Sequence, residues 1–184
     1  SRYITNVMNT FVPDGRAVTK TRDVVGTAAC NQCHDPLGLH GGSRQDVLLC
    51  NLCHTPQSKD PDTGNTVDMK VMTHKIHMGA ELANASTYEL VGHGSGSYPN
   101  NFSVANYGEV VFPALPGHTM NCTKCHGSAD NWRSPGDRQH PAQTTPTREW
   151  RAACGACHDS DAAAAHFEAM TPSGEAESCA VCHG

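Results

Sequence analysis

Ten cysteines in five copies of one short motif constrain this chain more than any other feature. In each copy two cysteines are separated by two residues, and a histidine follows the second cysteine directly. The cysteine pairs are Cys30 and Cys33, Cys50 and Cys53, Cys122 and Cys125, Cys154 and Cys157, and Cys179 and Cys182, followed by His34, His54, His126, His158 and His183. No cysteine is left over for a disulfide or a free thiol.

The spacing explains the chemistry of the motif. Two thiols two residues apart reach the two vinyl groups along one porphyrin edge and form thioethers, and the adjacent histidine falls under the iron. This is the attachment sequence of haem c. A single copy is also compatible with a zinc half-site or a redox dithiol, but neither explains a histidine in every copy. A disulfide framework fits the count of cysteines and not the strict motif. We therefore predict five covalently bound haem c groups.

Composition agrees with a core built around cofactors. Aromatic residues make up 5% and hydrophobic residues 38% of the 184 residues, which is thin for a protein core of this size. We predict a mostly irregular chain with a few short α-helices, organised around five haems and unable to fold without them. Residues 1–24 predict two short strands around a Pro-Asp-Gly turn. This β segment is either a lead-in to the domain or the end of a preceding domain. Residues 25–184 form the predicted pentahaem domain.

Histidines outside the motifs outnumber the predicted irons. They are His40, His74, His77, His93, His118, His140 and His166. Five haems need five distal ligands for bis-histidine coordination, so the supply exceeds the demand. Met78, Met120 and Met170 are competing axial ligands, but the excess of histidine favours histidine.

Four of these histidines have local contexts that favour ligation. His74 and His77 lie in a predicted helix over 69–78, on neighbouring parts of one face, and reach two adjacent irons. His166 lies in a short alanine-rich helix. His40 precedes two glycines that let the backbone approach a porphyrin.

The remaining three, His93, His118 and His140, lie in polar segments with glycine or proline. His93 begins a predicted loop over residues 92–106. Asp60–Asn65 resembles a cation loop but lacks the spacing of a calcium-binding EF-hand loop, so we predict a plain turn.

Several stretches resemble one family. They are Cys30 to His40-Gly-Gly, Cys50 to His54, His74-Lys-Ile-His77-Met-Gly, Val111-Phe-Pro113, Asp130-Asn-Trp132, and Ala-Ala-Cys154-Gly-Ala-Cys-His-Asp. Together they resemble a pentahaem domain of the OmcA/MtrC-type outer-membrane decahaem cytochromes, over nearly the whole chain.

The resemblance implies a crossed or staggered wire of bis-histidine haems on the extracellular face of a bacterial outer membrane. It implies electron export to metal oxides, flavins or other outside acceptors, with cytochromes as redox partners. By position, His40, His74, His77 and His166 match family distal ligands. A further family histidine is replaced here by Ala105, so we expect His93 to be the fifth ligand. Because the decahaem relatives carry two such domains, we expect a fragment, a trimmed protein, a single-domain relative or the subunit of a haem filament.

Charge and hydropathy narrow the function further. The net charge of −5, made more acidic by haem propionates, argues against nucleic-acid binding. No hydrophobic run is long enough to span a membrane, and haem c attachment places the protein outside the cytoplasm, on the outer-membrane surface or secreted. We expect an electron carrier and not an enzyme. The alternative is a multihaem reductase of a small oxyanion or nitrogen compound, which needs one iron with an open position.

Overall fold

The computed structural model describes residues 3–19, 21, 24–94, 101–127, 149–171 and 177–183. Its α-helices are α1 Thr27–Cys30, α2 Val47–Cys50, α3 Met69–Met78, α4 Thr123–His126, α5 Glu149–Gly155, α6 Asp161–Met170 and α7 Ala180–His183. Three 3-10 helices span Gly79–Glu81, Ala85–Thr87 and His118–Met120, and two strands, β1 Glu89–His93 and β2 Phe102–Asn106, form one sheet. The prediction of a mostly irregular chain with a few short helices is confirmed.

The chain divides into two compact units. The first comprises Ser1–His54 with Asn121–Trp132, and the second comprises Thr55–Met120 with Arg133–Gly184. Three attachment motifs belong to the first unit and two to the second.

Short helices that carry attachment motifs organise the first unit. The hydroxyl of Thr27 in α1 accepts a hydrogen bond from the backbone N–H of Val47 at 3.0 Å, which joins α1 to the start of α2. The Asp46 side chain caps the first turn of α2, and α1 lies against α4. Leu37, Val47 and Cys50 are buried here. The apolar core of this unit is therefore small and lies beside the attachment turns.

The lead-in differs from the sequence prediction. The turn is present, since the Gly15 N–H donates to the Val12 carbonyl at 2.9 Å. The described residues 3–19 contain no strand, however, and Tyr3 and Phe11 are exposed. A strand needs a neighbour that accepts and donates its backbone hydrogen bonds, and a strand-like local sequence beside a turn does not supply one. The predicted pair of strands is wrong for these residues, whereas the boundary near residue 24 stays a prediction.

The longest helices of the described chain, α3 and α6, lie in the second unit. The Asp68 side chain caps α3 by accepting from the Lys70 N–H at 3.1 Å. The helix ends at Gly79, whose φ is +48° and whose Cα approaches the Val110 carbonyl too closely for a Cβ. α3 packs against α5, and α5 packs against α6. The predicted helices around His74 and His166 are confirmed.

Residues 92–93 and 102–106 of the predicted loop over residues 92–106 belong to the strands of a β-hairpin. β1 and β2 pair antiparallel with His93 opposite Phe102, and the Gly94 N–H donates to the Asn101 carbonyl at 2.6 Å. The loop prediction is wrong for the strand residues. The glycine and serine content of the segment suggested a loop. Its conformation was instead decided by cross-strand pairing, which depends on the residues of the partner strand.

The Asp60–Asn65 segment is a turn, as predicted, and it supports the hairpin. The buried Asp60 carboxylate accepts hydrogen bonds from the Asp62 N–H at 3.0 Å, the Thr63 hydroxyl at 2.8 Å and the Val91 N–H at 2.7 Å. The Val91 bond, reinforced by those from Asp62 and Thr63, holds the pKa of Asp60 below its usual value. The carboxylate therefore organises the turn and β1 through backbone donors.

Candidate haem-binding sites

All five attachment motifs adopt the same backbone turn. In each, the N–H of the histidine donates to the carbonyl of the first cysteine four residues earlier, at 2.8 to 3.0 Å. The second cysteine's N–H also points at that carbonyl, at 3.1 to 3.3 Å. Residues three and four apart on such a turn lie on the same face. Both thiols and the imidazole of each motif therefore project from one side of a helical turn, as attachment to one porphyrin requires.

None of the ten cysteines is paired in a disulfide. Burial is the largest cause that raises the pKa of the Cys30, Cys50, Cys125 and Cys179 thiols. Zinc binds thiolates, usually with four protein ligands. Among the described residues, no three or more histidine, cysteine or acidic side chains are grouped to hold a metal ion. The donor set suits a haem iron, because the porphyrin supplies four ligands and the protein needs to supply only two.

Two spare histidines lie opposite attachment histidines. The ring centres of His40 and His54 are 6.1 Å apart with an interplanar angle of 35°, and those of His166 and His183 are 6.3 Å apart at 83°. When an imidazole binds a metal, its ring nitrogen lies about 2 Å from the metal and about 1 Å from the ring centre. Two imidazoles on opposite sides of one metal therefore have ring centres about 6 Å apart. Both pairs therefore have the ring-centre separation that two imidazoles holding one iron would have.

His74 and His77 have the orientation of metal-binding histidines. Nδ1 of His74 lies 2.7 Å from the Lys70 carbonyl, and Nδ1 of His77 lies 2.7 Å from the Thr73 carbonyl. A carbonyl only accepts, so Nδ1 carries the proton in each ring and Nε2 presents its lone pair. A backbone carbonyl behind a ligating histidine fixes both tautomer and orientation. Both rings are therefore set to bind a metal through Nε2.

Apolar side chains beside the attachment cysteines are exposed. Leu52 and Val181, each inside a motif, are 65% and 84% exposed, and Leu48 and Met120, each two residues before a motif, are also exposed. Covering apolar area stabilises a fold by about 25 cal/mol per Å². A flat porphyrin face would cover side chains in these positions, which agrees with a core built around cofactors.

Two grooves lie beside attachment histidines. One of about 470 Å³ in the second unit is lined by Ala156, His158 and Phe167, among others. Another of about 350 Å³ in the first unit is lined by residues that include Ala29 and His126. Burial lowers the pKa of His126, which favours the neutral imidazole that metals bind. His158 and His126 thus line space that a prosthetic group could occupy.

A family model described as outer membrane cytochrome MtrC/MtrF-like, domains II/IV, matches residues 22–184. The chain belongs to this family. Its resemblance to the OmcA/MtrC-type cytochromes, predicted from the motifs, is confirmed, and with it the assignment to the multihaem c-type cytochromes.

Individual relatives agree with the family assignment. The multiheme cytochrome MtrC of Shewanella baltica (strain OS185) is 30% identical over 141 residues, which cover 67% of this chain and 21% of the relative. The crystal structure of the outer membrane decaheme cytochrome OmcA matches with a TM-score of 0.55 and 28% identity, over 92% of this chain and 23% of that one. The crystal structure of MtrC from Shewanella baltica OS185 matches at 22% identity with a TM-score of 0.44, over 96% and 25%. This MtrC/MtrF-like chain spans about a fifth to a quarter of these proteins.

The remaining positions that the sequence singled out in this MtrC/MtrF-like chain are His93, His140 and the Asp130–Trp132 stretch. His93 lies on β1, exposed, with its ring stacked on Phe102 at 6.3 Å. His140 and the Asp130–Trp132 stretch lie outside the described residues. None of the described helices is long and apolar enough to cross a membrane. The assignment of His93 as a ligand stays a prediction.

Sequence reasoning missed Asp159, the residue after the fourth motif. Its carboxylate lies 3.4 Å from Nζ of Lys75 in α3 and 3.3 Å from the Asn84 N–H. Its carbonyl accepts from the Asn84 side chain at 2.6 Å. Asp159 thereby joins the end of the attachment turn to the helix that carries His74 and His77. An aspartate after the motif, repeated at Asp35, was the signal available in the sequence.

Proposed function

We propose that this domain binds five haem c groups, each between two histidines, and conducts electrons toward acceptors outside the cell. The observation that carries the proposal is the spacing of the two histidine pairs, His40 with His54 and His166 with His183, at 6.1 and 6.3 Å. An iron held between two histidines has no open position for a substrate, so this arrangement favours electron transfer over reduction of a bound substrate.

Each group of residues has a distinct role in the proposal. Haem c, when bound, supplies an iron that takes up and releases one electron. The ten motif cysteines hold the porphyrin covalently, and the five motif histidines supply the proximal nitrogens. His40, His74, His77 and His166 supply distal nitrogens. Ligation by two histidines keeps reduction potentials lower than a Met/His pair does.

The carbonyls behind His74 and His77 have a positioning role. At 2.7 Å they fix both rings, so α3 presents two ligands one turn apart. The ion pair between Lys75 and Asp159 holds α3 to the end of the fourth motif. These contacts would keep the ligands of neighbouring haems in a constant arrangement, which a conduit requires.

Family membership supports the location and the partners. The family is one of outer-membrane cytochromes, and we place this domain on the extracellular face of that membrane, or in secreted form. Other cytochromes would deliver electrons, and metal oxides or flavins would receive them. Whether the chain works as one domain of a decahaem protein or in a haem filament stays a prediction.

Intact-protein mass spectrometry and electron paramagnetic resonance of the haem-loaded protein test the proposal. The mass should exceed that of the polypeptide by five haems, and a Cys154→Ala/Cys157→Ala variant should carry four. All ferric haems should be low-spin. A high-spin signal equivalent to one haem per chain would contradict the conduit and favour the reductase alternative, and a haem count other than five would contradict the cofactor assignment.

A further inference from the structure

The backbone singles out one spare histidine that the sequence did not favour. Among the described residues, the non-glycine positions with positive φ are His40 at +50° and His118 at +49°. The left-handed region is unfavourable for residues with a side chain, and such positions gather at functional sites where surrounding contacts hold them. His40 faces His54 at the spacing of two ligands on one iron. His118 shares this backbone and also adjoins a glycine, Gly117.

The His118 ring is oriented as a metal ligand would be. Its Nδ1 lies 3.3 Å from Oε1 of Glu81. A carboxylate has no proton to donate, so this contact directs Nδ1–H toward Glu81 and leaves Nε2 on the other side of the ring. Metal-binding histidines commonly have a carboxylate beside their other ring nitrogen. The side chain is 35% exposed, so the ring is accessible to a prosthetic group.

Phe112 fixes the same ring from a second direction. Its ring meets His118 edge to face at 5.9 Å and meets His77, a proposed distal ligand, in the same manner at 5.9 Å. His118 therefore lies in the same aromatic cluster as a histidine set for ligation. Edge-to-face contacts restrict ring rotation, which keeps Nε2 directed.

The surroundings of His93 tie its ring to the hairpin. Its Nδ1 lies 2.8 Å from the Asn101 side-chain nitrogen and 3.3 Å from the Asn101 carbonyl. Both contacts come from the residue that precedes β2, so Asn101 holds the imidazole against the sheet. The ring also lies nearly parallel to Phe102, at 11°. His93 is thus held as part of the hairpin.

We propose that His118 is the fifth distal ligand, with Glu81 as its positioning residue, in place of the family histidine that Ala105 replaces. The proposal rests on the proposed function in one respect, that every iron has two histidine ligands. It replaces the sequence-based choice of His93. His118 precedes the third motif by only a few residues, so the ligand lies in the short segment between Phe112 and Cys122 and not in the hairpin.

Matched alanine variants of the haem-loaded protein test this assignment. His118→Ala should keep five covalent haems by mass and convert one of the five from low-spin to high-spin. Added imidazole should restore the low-spin state, since it supplies the missing ligand. The reduced variant should bind one equivalent of carbon monoxide. His93→Ala should keep five low-spin haems and bind none.

Two further variants keep the test informative if His118→Ala does not mature. His118→Met retains a side chain able to ligate, and one haem should acquire the far-red absorption of methionine ligation and a raised potential. Glu81→Gln should stay low-spin while the potential of one haem rises, because the carboxylate no longer increases the basicity of the ligand. Unchanged spectra in His118→Met would overturn the assignment, and an unchanged potential in Glu81→Gln would overturn the role of Glu81.

The wild-type spectrum separates failure of the ligand assignment from failure of the proposed function. One high-spin haem in the unaltered protein contradicts bis-histidine coordination itself and, with it, a fifth histidine ligand. If the wild type and His118→Ala both keep five low-spin haems while His93→Ala loses one, the assignment to His118 is wrong. The proposed function is then not contradicted.

Discussion

The partly buried ion pair between Lys75 and Asp159 should stabilise the folded domain more than a surface pair does. Nζ of Lys75 lies 3.4 Å from Oδ2 of Asp159, and the two side chains are 17% and 10% exposed. Nζ also lies 5.5 Å from the ring centre of Tyr88. Asp159→Asn keeps the shape of the side chain and removes its charge, which leaves the lysine charge without its partner in a largely buried position.

The magnitude follows from distance and burial. At 3.4 Å and an effective dielectric constant of about 20, the Coulomb attraction is roughly 5 kcal/mol. Desolvation of both groups offsets part of it, and breaking a fully buried pair costs about 3–5 kcal/mol. Since both groups keep some exposure, we expect Asp159→Asn to lower the free energy of unfolding by about 2–3 kcal/mol. At about 2–4 °C per kcal/mol for a chain of this size, Tm should fall by about 5–10 °C.

The pair between Arg16 and Asp14 provides a matched control. Its atoms are closer, at 2.6 Å, but its side chains are 80% and 51% exposed. Asp14→Asn should change the free energy of unfolding by less than about 0.5 kcal/mol. The unfolding free energies of both haem-loaded variants are measured by guanidinium titration, with haem absorbance and far-UV circular dichroism as the signals. Equal effects of the two variants, or an Asp159→Asn effect as small as the control, would refute the argument from burial.

Two further predictions concern a ligand and a titratable group. His166→Ala should convert one haem to high-spin, because His166 faces His183 at 6.3 Å; a fully low-spin variant in electron paramagnetic resonance would contradict this. The pKa of Asp60 is held below its usual value mainly by the Val91 N–H, so ionised Asp60 stabilises the fold at neutral pH, and this contribution is lost as pH falls through its folded pKa. The difference in unfolding free energy between wild type and Asp60→Asn should therefore shrink as the pH falls below about 4, the ordinary aspartate pKa, and a difference that stays constant there would contradict it.

The errors of sequence interpretation share a physical cause. The lead-in had two strand-like runs around a Pro-Asp-Gly turn but forms no strand among residues 3–19. The segment that begins at Gly92 was rich in glycine and serine, yet Phe102–Asn106 pairs with Glu89–His93. Strands depend on partners elsewhere in the chain, whereas α3 has its capping residue Asp68 and its terminal Gly79 within its own sequence. Local signals therefore predicted helices and turns well and strands poorly.

The sequence by itself determined the attachment chemistry and the family. Five motifs with cysteine and histidine at fixed spacing specify covalent haem because all the reacting groups lie within one helical turn, and the structure repeats that turn five times. Which spare histidine meets which attachment histidine was decided only by tertiary structure, since His40 and His54, like His166 and His183, come together through contacts between separate elements. The same holds for the carboxylate of Glu81 beside His118 and for the amide of Asn101 beside His93. The Nδ1 partners of His74 and His77, by contrast, lie one turn earlier in the same helix.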